Sequence, residues 1–261
     1  DVSVDNLSIT FDMIEAAITK DTVGITLVHC LGFNAINEAI IEIANEYDLF
    51  LIEDCCEAHG ATYNGKRVGN FGDVSNFSFY FGHHITSIEG GMICTDDDEL
   101  YDYAKLFRSH GMTREASPKL QKEYKEKYNS VNPLFTFAVP GYNMRNQELN
   151  AIIGTSQLKR LDYNIQRRVE NLKTWVDTLD SEKFFTDYEL EGNSNFALPL
   201  IILGEDRNRL LRVCDILKRN EVEYRIGTAG GGNQAKQPYL EKYDFVAGEL
   251  PNSDYIHHYS L

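Results

Sequence analysis

The stretch GITLVHCLGFNAINEAIIEIANEYDLFLIED, residues 24–54, decides the fold. Its two ends, residues 24–29 (GITLVH) and 49–52 (LFLI), are short apolar runs typical of buried strands. Between them, residues 37–47 carry apolar side chains at helical spacing. A strand, a helix and a strand within about thirty residues form a βαβ unit, and continuously apolar strands favour a parallel sheet covered on both faces. We therefore expect an α/β fold.

The pattern predicts further elements along the rest of the chain. Strands are expected at residues 74–81, 91–95, 196–203 and 222–226, and helices at residues 97–108, 147–179 and 207–220. The polar stretch 109–133 has little periodicity and is expected to be a solvated helix or a mobile flap. We predict a domain boundary within the long helix, which divides the chain into residues 1–175 and a smaller α/β domain of residues 176–261.

The composition argues against several classes of protein. Of the 261 residues, 43% are hydrophobic and 25% are charged, which is typical of a globular protein rather than a disordered chain or a fibre. The net charge of −15 argues against a generally basic nucleic-acid binder, although a single basic pocket remains compatible with it. No apolar run approaches the roughly 18 residues of a membrane span, so we expect no membrane partner.

The cysteines indicate a compartment. There are five, and three of them (Cys30, Cys94 and Cys214) lie in apolar stretches, which is typical of buried free thiols in a reducing environment. We therefore expect a cytoplasmic protein. The chain starts without Met and ends within a predicted element, so we expect a piece of a longer protein that is truncated at both ends.

Polar residues lie at the ends of two predicted strands. Asp54 follows the second strand, and ligands of parallel sheets bind at the carboxyl ends of the strands. Its carboxylate could hold a cationic group, a metal or a protonated ring nitrogen, but a helix cap or a structural ion pair explains it equally well. The hydroxyl of Ser78 could donate to a phosphate, or it could be satisfied within the sheet.

Two histidines follow a glycine at a strand end. His83 or His84 could act as a general base, because imidazole titrates near neutral pH, or either could be a surface loop residue. A metal site would need further ligands at suitable spacing, and we predict none. Asn143 and Arg145 precede a predicted helix, where they could bind an anion or cap the helix. Arg225 could meet a diphosphate or be solvated.

Three segments carry a resemblance to a known family. They are IEDCCEAHGATYNGKRVGNFGDVSNFSFYFGHHITSIEGGMI (52–93), LFRSHG (106–111) and GYNMRNQELNAIIGTSQLKRL (141–161). In this order they resemble the pyridoxal-phosphate sugar aminotransferases of nucleotide-sugar biosynthesis, the DegT/DnrJ/EryC1/StrS group. The resemblance implies the type I aspartate-aminotransferase fold with the N-terminal part of the large domain missing. It also implies a homodimer whose active site lies at the subunit interface.

The resemblance implies roles for single residues. Asp54 matches the carboxylate that pairs with the pyridine nitrogen of the cofactor, and Ser78 matches the hydroxyl that contacts its phosphate. Glu57 stands where the family usually has Gln, near the ring oxygen of the cofactor. Asn143 matches the residue that reaches the phosphate of the neighbouring subunit's cofactor. Arg225 is a further candidate, for a carboxylate or phosphate of the substrate.

His83 departs from the family pattern, because it stands at the position of the Schiff-base lysine. An imidazole cannot anchor the cofactor covalently, but it can remove a proton, so the change points from amination to dehydration. Two sub-groups of the family carry histidine at this position. One holds an iron–sulfur cluster, which needs about four thiolates. Between His83 and Cys214 this chain has one cysteine, Cys94, so that sub-group is disfavoured.

The other sub-group implies a function. We expect a lyase that uses pyridoxal phosphate and pyridoxamine phosphate to remove the C3 hydroxyl of GDP-4-keto-6-deoxy-D-mannose, with L-glutamate as amino donor. Such a reaction belongs to the synthesis of deoxysugars such as colitose in O-antigen lipopolysaccharide. The alternatives are a catalytically silent relative that binds cofactor or partner, and an ordinary aminotransferase. The latter needs another lysine, and neither Lys66 on a turn nor Lys105 on a helix is an evident substitute.

Overall fold

The computed structural model describes residues 1–228, 230–243 and 248–261. Its strands are β1 (Gly24–Val28), β2 (Phe50–Asp54), β3 (Thr62–Tyr63), β4 (Lys66–Arg67), β5 (Val74–Ser78) and β6 (Gly91–Cys94). Its helices are α1 (Phe11–Ala17), α2 (Glu38–Glu46), α3 (Asp98–Arg108), α4 (Pro118–Lys127), α5 (Glu148–Leu158), α6 (Leu161–Thr178), α7 (Arg207–Arg219) and α8 (Pro251–Tyr259). Strands β1, β2, β5 and β6 form one sheet in that order, and β3 pairs with β4.

Strand β2 lies between β1 and β5 and runs parallel to both, as the βαβ pattern predicts. The register sets Asp54 opposite Val28 on one side and Asn76 on the other. The carboxyl ends of three strands therefore meet at one edge of the sheet. Strand β6 is an exception to the parallel sheet, since it pairs antiparallel with β5. Its connection, residues 79–90, contains no crossover helix, and parallel pairing needs such a crossover.

Helix α2 packs against β1 and β2 through one apolar face. Its Ile40 and Ile43 are buried in the same cluster as Leu27 of β1 and Leu51 of β2. The helix begins after Asn37, whose side-chain oxygen accepts the N–H of Ile40 at 3.0 Å. This cap satisfies a backbone donor that the first turn of a helix cannot satisfy itself. The predicted helix and its apolar face are confirmed.

Two predicted strands are wrong. Residues 222–226 form no regular strand, and residues 196–203 contribute only the isolated bridges of Ile201 with Ser260 and of Ile202 with Phe184. Ile201 and Ile202 are fully buried. Their apolar pattern therefore reflects burial in the core rather than pairing within a sheet.

The helical predictions need two refinements. The stretch 147–179 is two helices, α5 and α6. Arg160 N donates to Gln157 O at 2.9 Å, an i to i−3 bond of the kind that tightens the last turn of a helix, and α5 ends at Leu158. The polar stretch 109–133 contains α4, a solvated helix whose cap, Ser117, binds the carboxylate of Asp102. None of the helices described in residues 1–228, 230–243 and 248–261 has the length and apolar content that a bilayer crossing needs.

A second core joins distant parts of the chain. Leu31 and Phe33 pack with Leu172 of α6 and with Tyr188 and Ile201. Residues on both sides of position 175 thus share one apolar cluster. The division into residues 1–175 and 176–261 stays a prediction.

Glu53 is a buried hub next to the sheet edge. Its carboxylate accepts the backbone N–H groups of Gly69, Phe71 and Gly72 at 2.7–2.8 Å, and it lies 3.3 Å from Nε2 of His29. Burial raises the pKa of Glu53, but the bonds from His29 and from the three backbone groups outweigh it and hold the pKa below 4.5. The hub ties β2 to the turn that leads into β5.

We predict that Glu53→Gln lowers the free energy of unfolding by about 3–5 kcal/mol, because the amide group would direct N–H donors at backbone N–H donors. Urea unfolding at pH 7 measures the change. Glu46→Gln on exposed helix surface is the control and should change stability by less than about 0.5 kcal/mol. Equal stabilities of the two variants would contradict the role of Glu53 as a hub.

Candidate active site

Asp54 lies at the carboxyl end of β2 and is half-buried. Its Oδ1 accepts the backbone N–H of Cys56 at 3.1 Å and the side-chain N–H of Asn76 at 3.0 Å. These bonds stabilise the turn after β2 and fix the direction of the carboxylate. Both end on Oδ1, so Oδ2 is the oxygen that can meet a ligand.

Glu57 follows on the same turn. Its Oε2 accepts the N–H of Leu31 at 2.8 Å. Burial raises the pKa of Glu57, and the negative charge of Asp54 adds to this, while the Leu31 bond and the positive charge of Arg225 act in the opposite direction. The structure therefore brings Asp54, Glu57 and Arg225 into one electrostatic neighbourhood, although Arg225 itself is exposed.

Ser78 is the last residue of β5, and the predicted strand 74–81 ends there. Its hydroxyl accepts the N–H of Tyr80 at 3.2 Å, which turns the chain away from the sheet. The hydroxyl hydrogen is not used in this bond and can be donated to a ligand. Ser78 lies two residues beyond Asn76, the neighbour of Asp54 in the register.

His83 lies in the loop after β5. Its backbone N–H donates to Tyr80 O at 3.0 Å, and its ring packs against Tyr80 and Phe196 with ring-centre distances of 5.8 and 5.1 Å. Nδ1 is buried and makes no hydrogen bond within the described part of the chain. Burial lowers the pKa of His83, and the charges of Arg168 and Arg225 lower it further, while Asp54 acts to raise it. His83 is therefore a mainly neutral imidazole at pH 7, within electrostatic reach of Asp54.

Asn143 is exposed and forms an isolated bridge with Ser109, and its neighbours Tyr142 and Met144 are also exposed. Within one copy of the chain, electrostatic interactions connect Asp54 and Arg225 with both Glu57 and His83.

Sequence patterns missed several neighbours of His83. Arg168 of α6 donates to Phe196 O at 2.7 Å, and Phe196 contacts the imidazole. His59 is buried with its ring 5.4 Å from that of His84. His84 itself is paired with Ser194, 110 positions away. No local pattern could connect these residues, since their contacts arise from the tertiary fold.

A second cluster has metal-ligand chemistry but a structural role. His29, Glu53 and Cys55 are buried with ligand atoms within 4.8 Å of one another. Nδ1 of His29 accepts the N–H of Ala35 at 3.1 Å, so Nε2 carries the ring proton and points it at Glu53. The Glu53 oxygens are occupied by the backbone donors of the hub. The cluster is a satisfied polar core rather than a metal centre.

Comparison with known proteins places this site in context. The model of the DegT/DnrJ/EryC1/StrS aminotransferase family matches residues 1–261. GDP-4-keto-6-deoxy-D-mannose 3-dehydratase of Yersinia pseudotuberculosis is 34% identical over 266 residues, which cover 100% of this chain and 67% of that protein.

Two solved structures have the same fold. The E. coli GDP-4-keto-6-deoxy-D-mannose-3-dehydratase with bound hydrated PLP is 30% identical, with a TM-score of 0.87 over 100% of this chain and 67% of that chain. GDP-4-keto-6-deoxymannose-3-dehydratase with a trapped PLP-glutamate geminal diamine is 29% identical, with a TM-score of 0.85 over 100% and 68% of the two chains. The α/β fold is that of PLP-dependent aminotransferases, as expected. The match along its whole length shows that the chain belongs to the DegT/DnrJ/EryC1/StrS aminotransferase family.

Proposed function

We propose that this chain is part of a pyridoxal-phosphate-dependent nucleotide-sugar 3-dehydratase. It removes the C3 hydroxyl of GDP-4-keto-6-deoxy-D-mannose, with L-glutamate as amino donor, in the synthesis of deoxysugars such as colitose for O-antigen lipopolysaccharide. The observation that carries the proposal is the half-buried imidazole of His83, at the position where the family has its lysine. Its Nδ1 is buried without a hydrogen bond to the described residues, and burial and Arg168 lower its pKa, so the ring is mainly neutral at pH 7 within electrostatic reach of Asp54. The relatives named above support the substrate class, the cofactor and glutamate.

The residues present fit the cofactor. Asp54 offers a carboxylate oxygen for a protonated ring nitrogen, and such a charge-assisted bond keeps the ring protonated. Ser78 offers a hydroxyl donor for the phosphate, and Glu57 lies on the same turn as Asp54 for the ring oxygen. The orphaned Nδ1 of His83 is a buried polar atom of the kind that a ligand satisfies. When bound, the cofactor supplies an amine for the C4 ketone and an electron-withdrawing ring.

The chain's own residues then decide the outcome. Asp54 stabilises positive charge on the ring nitrogen. His83 accepts a proton at a ring nitrogen, which a neutral imidazole can do and a protonated one cannot. An amine at this position would also return a proton to the substrate carbon, which completes amination. An imidazolium that does not return the proton to carbon can give it to the C3 hydroxyl instead, which then leaves as water while the neutral imidazole is restored. Arg225, whose charge acts on both Glu57 and His83, is the residue proposed to bind a carboxylate or phosphate of a substrate.

We predict that His83→Asn in the full-length protein lowers kcat by about 10²–10⁴-fold, because an amide cannot accept the proton. The assay follows glutamate-dependent loss of the ketosugar. His258→Asn, a change at an exposed histidine, is the matched control and should leave kcat unaltered. Undiminished turnover of His83→Asn would remove this residue from the mechanism.

A pH profile tests the state of the base. Because burial and the charge of Arg168 lower the pKa of His83, kcat should fall only as pH drops below 6.5, where the imidazole becomes protonated. Arg168→Gln keeps an N–H donor for Phe196 O but removes the charge, so the acid limb should move to higher pH. An acid limb at or above pH 6.5 in the unaltered protein would contradict the assignment.

We also propose a homodimer with shared active sites. The sequence around Asn143 carries several exposed apolar side chains, namely Leu134, Phe135, Phe137, Tyr142, Met144, Leu149 and Ile152. Exposed apolar side chains are typical of a subunit interface when they form one large patch. If a second copy binds at this surface, Asn143 of one subunit would contact the cofactor phosphate bound by the other subunit.

Mixed dimers test this arrangement. His83→Asn and Asn143→Ala should each be nearly inactive alone, because each damages every site. After the two are unfolded, mixed and refolded together, mixed dimers contain one intact site, and about a quarter of the unaltered activity should return. If Asn143 serves its own subunit, every site carries one damaged residue and no activity returns.

The compartment is a further part of the proposal. All five cysteines are free thiols, and four of them, Cys30, Cys55, Cys56 and Cys94, have pKa values raised by burial, which keeps them protonated and unreactive. This usage supports a cytoplasmic enzyme.

A further inference from the structure

A buried hydrogen-bond pair joins the loop of the catalytic histidine to a distant segment. His84 is 3% exposed and Ser194 is fully buried. Nε2 of His84 lies 2.8 Å from Ser194 O and 3.1 Å from Ser194 Oγ. A carbonyl oxygen only accepts, so Nε2 carries the proton and donates it. Ser194 Oγ in turn donates to His59 O at 2.7 Å.

The segment that His84 holds, residues 194–196, is fixed from other directions as well. Ser194 N donates to Gly32 O at 2.9 Å, and Phe196 N donates to Leu31 O at 2.7 Å. Gly32 has a positive φ of 84°, and a Cβ there would lie 1.9 Å from Ser194 O, so only glycine permits this approach. On its other side, Arg168 donates to Phe196 O. The segment is thus a fixed support.

The segment 194–196 is connected to His83 in two ways. The ring of Phe196 lies 5.1 Å from the His83 ring, while His84, the next residue along the chain, is tied to Ser194. The backbone of the loop and one face of the imidazole are therefore held by the same three-residue segment. Burial lowers the pKa of His84 to about 3, so this pair stays neutral and intact at working pH.

We propose that His84 is a positioning residue: its bond to Ser194 holds His83 against Phe196 in the orientation and burial that proton transfer needs. The inference rests on the proposed function, in which His83 is the base. His84 touches neither the reacting atoms nor Asp54 in this assignment. It acts through the Ser194–Phe196 segment.

The test uses the full-length protein with His84→Leu, which removes the donor at similar volume. We expect kcat to fall about tenfold to a hundredfold, since a misplaced base transfers protons slowly, while KM stays within about twofold. His84→Gln restores an N–H donor of similar reach and should recover most of kcat. Ser75→Ala is the control and should leave kcat unchanged. Ser75 is a buried serine of β5 whose hydroxyl donates to Gly69 O at 2.8 Å and makes no bond to His84 or Ser194.

A second readout does not depend on turnover. NMR titration of ¹³Cε1-labelled histidines, assigned with His83→Asn, gives the pKa of His83 directly. The charged groups that act on His83 are Arg168, Arg225 and Asp54, and none is altered by His84→Leu. The rings of His59 and His84 also interact with His83, but burial lowers their pKa values to about 4 and about 3, so both are neutral at pH 7. Loosening the loop admits water, so we expect the pKa of His83 to rise towards 6.5 in His84→Leu but not in His84→Gln or Ser75→Ala. Ser194→Ala, which loses only the hydroxyl bonds, should shift it less in the same direction.

The outcomes separate the two proposals. If the unaltered protein does not dehydrate the ketosugar but His84→Leu still shifts the His83 titration, the function is wrong and the positioning role stands. If a folded His84→Leu keeps both kcat and the His83 titration, the positioning role is overturned. Should His84→Leu fail to fold, His84→Ala, which also removes the donor, takes its place, and an unshifted His83 titration there overturns the positioning role.

Discussion

The parallel pairing of β2 with β1 and β5 is the constraint on which the rest of the structure depends. It aligns Val28, Asp54 and Asn76 at one edge of the sheet. Alternation along β2 then separates two neighbouring carboxylates. Glu53 is fully buried and satisfied by backbone donors, whereas Asp54 lies half-buried and accepts its bonds from Cys56 and Asn76 on one oxygen, Oδ1. A one-residue slip of β2 would exchange these roles and bury the wrong acid.

Burial and two positive charges lower the pKa of His83, the charge of Asp54 raises it, and the lowering effects prevail. The negative charge of Asp54 favours the imidazolium. Burial, which removes water from the ring, and the positive charges of Arg168 and Arg225 favour the neutral ring. The same ring is held by aromatic contacts rather than by hydrogen bonds to the described residues. A mainly neutral base within electrostatic reach of an acid that stabilises positive charge is an arrangement suited to removing a proton.

Local patterns predicted the elements that build the site, but not the contacts that tune it. The βαβ unit and the position of Asp54 at a strand end follow from apolar spacing, and the structure has both. For the polar stretch 109–133 the composition left a solvated helix and a mobile flap open, and the structure has the helix α4. The strand predicted at 196–203 failed because its side chains are buried in a core without sheet pairing. Local patterns did not identify the surroundings of His83, because Arg168, Ser194 and Phe196 are 85 to 113 positions away in the sequence. Asn143 gains a role only if a second chain is present, which no reading of one chain can supply.

The most direct measurement of the central claim is borohydride reduction of the full-length protein saturated with pyridoxal phosphate, followed by peptide mass spectrometry. Borohydride fixes any lysine–cofactor linkage as a stable adduct. With an imidazole at position 83, the account predicts no stoichiometric adduct on the unaltered chain and a stoichiometric adduct at position 83 in His83→Lys. A stoichiometric adduct on another lysine of the unaltered chain would contradict the account and identify an ordinary aminotransferase.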